Sequence, residues 1–79
     1  MPVKYEFDLA RLSGFHVTHC IIVEWHIPDN SPITDGDIAA TVETSKVTAE
    51  LSAKASGILR HKYRQGEYVP IDDIIGWVE

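Results

Sequence analysis

Few residues of this 79-residue chain are equipped for chemistry, and most of those are scattered. Cys20 is the only cysteine, which excludes an intramolecular disulfide. Of the four histidines, His16 and His19 share one stretch, while His26 and His61 lie in apolar runs. None has a carboxylate or thiol at ligand spacing that would complete a metal site, so no metal is expected. No nucleophile stands beside a base, and no acid–base pair stands out, so an independently catalytic enzyme is not expected. That leaves one amine in a notable setting: Lys46, in "ATVETSKVTAEL" (40–51), between two runs that read as strands. Lysine is costly to bury. It is there either to keep a turn soluble or to offer its amine for modification.

The flanking runs decide how such an amine is held. "IAATVE" (38–43) and "VTAELS" (47–52) form an antiparallel hairpin if Ser45 and Lys46 are its two central turn residues. The cross-strand pairs are then Glu43–Thr48, Val42–Ala49, Thr41–Glu50 and Ala40–Leu51. One face carries Ala40, Val42, Ala49 and Leu51; the other carries Thr41, Glu43, Thr48 and Glu50. This register sorts polarity cleanly between core and water. Ser-Lys is not the Asn-Gly or Asp-Gly pair favoured in two-residue hairpins. Such indifferent turn residues leave two readings open: a solvated turn lysine, or residues chosen for something other than folding.

The rest of the chain reads as a scaffold for that hairpin. "KYEFDL" (4–9), "IIVEWHI" (21–27), "GILRHKY" (57–63) and "IIGWVE" (74–79) are further period-two runs, punctuated by "PDNSP", "DGD", "QGE" and "PIDD". No stretch has helical periodicity. Many short, evenly spaced strands predict a small sandwich or flattened barrel. An internal repeat supports this: residues 22–43 run against 58–79 without a gap, placing Asp37 on Asp73, Ile38 on Ile74, Val42 on Val78 and Glu43 on Glu79. Residues 3–9 match 47–53, with Tyr5, Phe7 and Leu9 over Ala49, Leu51 and Ala53. One four-strand unit therefore occurs twice, with an approximate two-fold axis between the copies. The first copy carries an insertion, within 10–19, that is expected to bulge from the surface as a loop. Trp25 and Trp77 are expected as partly buried core or edge aromatics, and His26 and His61 as strand residues facing solvent or capping a sheet edge.

Composition sets the outer bounds. The length predicts one domain, 1–79, and the 44% hydrophobic content can supply a compact core. The net charge of −5, without a basic stripe, argues against nucleic acid. There is no apolar run long enough to span a bilayer and no targeting segment, so a cytoplasmic location is expected.

Taken jointly, these segments resemble the lipoyl domains of 2-oxo acid dehydrogenase complexes, within the biotinyl/lipoyl-carrier superfamily. Glu43-Thr44-Ser45-Lys46-Val47 matches a modification motif that usually reads E-T-D-K-A. Asp35-Gly36-Asp37 matches the preceding turn, Ile22-Val23-Glu24-Trp25 an earlier strand, and Gly57, Gly66-Glu67 and Val69-Pro70 the second half. "YEFDL" (5–9) looks like the first strand. Departures are the acid-poor "ARLSGFH" (10–16), the proline-free "SAKASG" (52–57), and Ser45 in place of aspartate.

The resemblance implies an all-β barrel-sandwich hybrid, or hammerhead, of two four-stranded antiparallel sheets, with the chain termini opposite the modified hairpin. It implies a non-catalytic carrier, either free-standing or part of a dihydrolipoyl acyltransferase chain. Lys46 would carry lipoic acid as an amide, with Glu43, Thr44, Ser45 and Val47 as recognition context. The swinging arm would pass acyl groups and electrons between active sites, and the protein would contribute placement. Implied partners are a lipoate ligase or lipoyl transferase, then the thiamine-dependent dehydrogenase, acyltransferase and dihydrolipoamide dehydrogenase components. By the same analogy Ser13, Gly14, Phe15 and His16 form a partner-reading loop. Two alternatives share the fold. A biotin carrier normally places methionines on both sides of its lysine, where this chain has Ser45 and Val47. An unmodified hammerhead would act only as a docking module.

Overall fold

The structure, a computed structural model, describes residues 2–79 and, at Phe15, the backbone alone. Alternating polarity settles into eight strands: β1 (Tyr5–Asp8), β2 (His19–Trp25), β3 (Pro32–Ile33), β4 (Ile38–Glu43), β5 (Thr48–Ser52), β6 (Gly57–His61), β7 (Tyr68–Pro70) and β8 (Ile74–Val78). They form two four-stranded antiparallel sheets, ordered β1-β8-β6-β3 and β5-β4-β2-β7, which do not close into a barrel. The flattened barrel-sandwich expected from the sequence is what the chain forms. Each sheet takes two strands from each half of the chain, so the halves interlock rather than stack.

Six strands were legible as period-two runs; β3 and β7 were not, because two or three residues cannot display a period. Both are edge strands, and both contain a proline (Pro32, Pro70). A residue without an N–H is tolerated at an edge and blunts it against further pairing.

Side chains from both inner faces fill the space between the sheets. Phe7, Leu9, Ile22, Val42, Leu59 and Ile75 are all 1% exposed or less. Among the described residues no polar or charged side chain is buried, and no buried side-chain nitrogen or oxygen lacks a partner. Cys20 is part of this core, and burial pushes its thiol pKa up.

The repeat is real, but its register is not gapless. In β2, Ile22 pairs with Val42 and Glu24 with Thr41, so Val23 is an extra, bulged residue. In β6 the matching pairs, Leu59 with Val78 and Arg60 with Trp77, run without a bulge. Ile22 therefore corresponds to Leu59, both 0% exposed, while Val23 is turned out at 45%. From Glu24 onward the predicted offset holds. A second bulge occurs in both copies: Ala39–Ala40 in β4 and Ile75–Gly76 in β8 are consecutive buried residues beside a register shift.

The two-fold is most visible where the copies touch. Trp25 and His61, equivalent by the repeat, stack face to face with centroids 3.7 Å apart and planes 9° apart. The Trp25 Nε1 donates to the carbonyl of Tyr63, and His61 Nε2 meets the carbonyl of Ile27, the equivalent residue. Their backbone N–H groups repeat the symmetry, donating to the Gln65 and Asp29 side chains. Each copy thus latches the other with the same bonds. His61 is half-buried in this stack rather than facing solvent. His26 lies just past β2, exposed, with Nε2 2.7 Å from Thr41 Oγ1. Trp25 and Trp77 are both partly buried, as expected.

The insertion is not a free bulge. Ala10–Phe15 coils into a 3₁₀ turn that ends on His16 in the left-handed conformation (φ 56°). Leu12 drops into the core at 3% exposed, beside Leu9. Burying that leucine draws the segment onto the body of the molecule.

Candidate functional site

The hairpin register is the one its polarity predicted, with Glu43 opposite Thr48, Val42 opposite Ala49, Thr41 opposite Glu50 and Ala40 opposite Leu51. Ala40, Val42 and Leu51 are buried and Ala49 half-buried, while Glu43, Thr48 and Glu50 are exposed. Ser45 and Lys46 stand at the tip, both exposed; Val47 is partly buried against the core and anchors the return strand.

The tip is held by one side chain. Among the described residues only His16, Asn30, Gly36 and Gly66 have positive φ, so Ser45 and Lys46 do not form the primed turn usual in two-residue hairpins. The backbone closes with Thr44 N–H donating to Val47 O at 2.8 Å. The reciprocal Val47 N–H goes instead to Thr44 Oγ1 (3.0 Å), as does the Lys46 N–H (3.1 Å). The same hydroxyl donates to Val47 O at 3.2 Å. Sequence reasoning placed Thr44 only as motif context. The available signal was a threonine immediately before a turn, where its hydroxyl can replace a backbone partner.

The Lys46 Nζ has no ion pair or hydrogen bond among the described residues. Beside the tip the outward residues His19, Ile21, Glu43 and Tyr68 join Thr44 and Ser45 in lining a groove of about 260 Å³. Tyr68 is 65% exposed, with the His19 ring edge-on to it at 5.0 Å. This aromatic shelf was not anticipated; Tyr68 lies on a strand too short to be read. Glu43 accepts weakly from the Thr48 hydroxyl and otherwise faces water.

The inserted turn reaches the hairpin through Arg11, whose guanidinium donates to the Glu50 carbonyl of β5 at 2.6 Å. Ser13 and Gly14 are exposed on the turn and His16 just after it, with the Ser13 hydroxyl donating to Ala10 O at 2.7 Å. The Phe15 side chain lies outside the described residues. Ser13 also borders a groove with Asp8, Leu9, Ile71 and Asp73. There the Lys62 ammonium (2.7 Å), the Tyr63 hydroxyl and the Ile74 N–H (2.7 Å) all donate to the Asp73 carboxylate and hold its pKa down at about 2.

Among the described residues no group of histidine, cysteine and carboxylate side chains could hold a metal ion. An unencumbered amine on a braced turn fits a covalently attached group, since the bond needs only access and fixed placement. Two interlocked four-strand halves with this lysine at the hairpin that joins them define the carrier-domain class of the biotinyl/lipoyl type. Residues 6–78 match the biotin/lipoyl family described as "Biotin-requiring enzyme", and the chain belongs to that family. Its members hold lipoic acid or biotin on a lysine and are, in general, carriers rather than catalysts. No curated protein and no solved structure matches the chain.

Proposed function

We propose that the chain is a lipoyl carrier and that Lys46 is its attachment point. The observation that carries this reading is the exposed Lys46 amine, unpaired among the described residues, at the tip of the β4–β5 hairpin. Attachment forms an amide between Lys46 Nζ and the lipoyl carboxyl carbon. The nitrogen loses two protons, and the leaving group of the activated donor departs with the electron pair of its acyl bond. The charge on Lys46 disappears, so a tip without ion pairs loses nothing. Lipoic acid supplies a disulfide able to accept acyl groups and electrons; the chain supplies the amine and its placement. The partners that fit are a lipoate ligase or lipoyl transferase and the components of a 2-oxo acid dehydrogenase-type complex. Ser45 and Val47 on either side of the lysine favour lipoate over biotin.

Intact-mass measurement tests this. The chain is incubated with ATP and lipoate plus a lipoate ligase, and separately with biotin plus a biotin ligase. A lipoyl adduct that Lys46→Ala abolishes is the expected result. A biotin adduct alone, no adduct, or an adduct that survives Lys46→Ala would overturn the reading.

A further inference from the structure

We infer that Thr44 is the positioning residue for modification of Lys46, acting through its hydroxyl. This rests on the reading of Lys46 as the attachment site. A hydroxyl has one proton to donate and two lone pairs to accept with. At Thr44 all three are used within the tip: the proton on Val47 O, and the lone pairs on the N–H groups of Lys46 and Val47. A two-residue hairpin ordinarily closes with two reciprocal backbone bonds and positive φ at its centre. This one has neither the positive φ nor the Val47 N–H to Thr44 O bond. The hydroxyl therefore replaces the missing half of the closure and fixes the backbone from which Lys46 projects. That accounts for Ser-Lys at the centre of the turn. With the geometry set from Thr44, neither central position needs asparagine or glycine, and one of them is free to hold a lysine.

Without the hydroxyl, the Val47 N–H loses its partner in a half-buried place and the tip samples several conformations. A modifying enzyme must then order the tip on each encounter, which lowers kcat/KM while the strands beneath stay paired. Neighbouring tip groups do not substitute: the Ser45 side chain makes no hydrogen bond among the described residues, and Glu43 Oε2 meets only Thr48, at 3.4 Å.

The test uses the intact chain with a lipoate ligase, lipoate and ATP, together with amide hydrogen exchange read by NMR. Thr44→Val keeps the shape and removes the hydroxyl; Thr44→Ala removes it without branching; Thr44→Ser restores it. The expected result is kcat/KM lowered about tenfold in the valine and alanine variants, as for one lost hydrogen bond. Lys46 and Val47 amides should exchange faster, β4 and β5 amides should not, and Thr44→Ser should recover both. Wild-type rates in the valine variant would overturn the inference, as would a serine variant as slow as valine. Unchanged exchange at Lys46 and Val47 would overturn it even if the ligase proved not to act. A wild-type chain left unmodified, or Lys46→Ala modified, strikes the attachment site instead.

Discussion

Substituting Gly76 with alanine tests whether the close packing of β8 on β6 and on Trp25 limits the fold. A Cβ at Gly76 would lie 2.4 Å from the Arg60 carbonyl oxygen and 3.1 Å from Cη2 of Trp25. The first contact is with backbone, which cannot rotate away, and Gly76 pairs with His61 in the same ladder. Relief requires β8 to move from β6, and that movement pushes on the Trp25–His61 stack from one side. Overpacking of this kind costs about 1–3 kcal/mol, and a clash with main chain belongs at the upper end. Alanine returns about 0.4–1 kcal/mol by restricting the unfolded chain. The net loss is about 2 kcal/mol, out of a total of about 4–12 kcal/mol for a chain of this length. At about 4–8 °C per kcal/mol, the melting point should fall by about 8–16 °C. Urea denaturation followed by tryptophan fluorescence measures the change, and Trp25 reports from the clash itself. Gly14→Ala is the control, because nothing lies within 4 Å of its Cβ position. If the two variants agree within about 0.5 kcal/mol, the claim that close packing at Gly76 limits this site is wrong.

Leu12→Ala should cost about 3 kcal/mol by the same urea assay, since Leu12 is 3% exposed in the core; a change within about 0.5 kcal/mol would return the segment to a passive surface loop. Lys46→Ala should leave the urea midpoint within that same margin, because the tip is braced by Thr44 and the amine has no partner among the described residues. Asp73 titrates at about 2 in the folded chain and at about 3.9 when unfolded, so its contribution is present above pH 4 and lost as pH falls towards 2. Asp73→Asn should therefore be less stable than wild type at pH 7, with the gap closing by pH 2; a gap of constant size would show that the charge is not responsible.

What the sequence revealed follows from where its signal is redundant. The β4–β5 register was legible because four outward and four inward residues agree, and a one-residue slip would invert them all. The bulge at Val23 was not, because Ile21, Ile22 and Val23 are all apolar and alternation cannot say which of them turns out. The repeat alignment failed at this same point and recovered at Glu24, where polarity returns. Ala10–Phe15 was read as loop for lack of period, yet a single leucine, Leu12, was enough to bind it to the core. The Lys46 tip was found from its position between strands and from the motif around it. The brace was missed because Thr44 was weighed as a motif letter rather than as a donor and acceptor at the first position of a turn.

The interlocked halves also say something about chain connectivity. The counterpart of the β4–β5 ladder is the β1–β8 ladder, where Tyr5 lies opposite Val78 as Ala49 lies opposite Val42. One ladder is closed by the two residues Ser45 and Lys46, and the other pairs the first strand with the last. Bridging β8 to β1 with a short linker and cutting between Ser45 and Lys46 would exchange these roles without altering a single strand pair. Such a circular permutant should fold to the same two sheets, and it would separate the lysine's chemistry from its turn: the same amine, on the same scaffold, at a loose end.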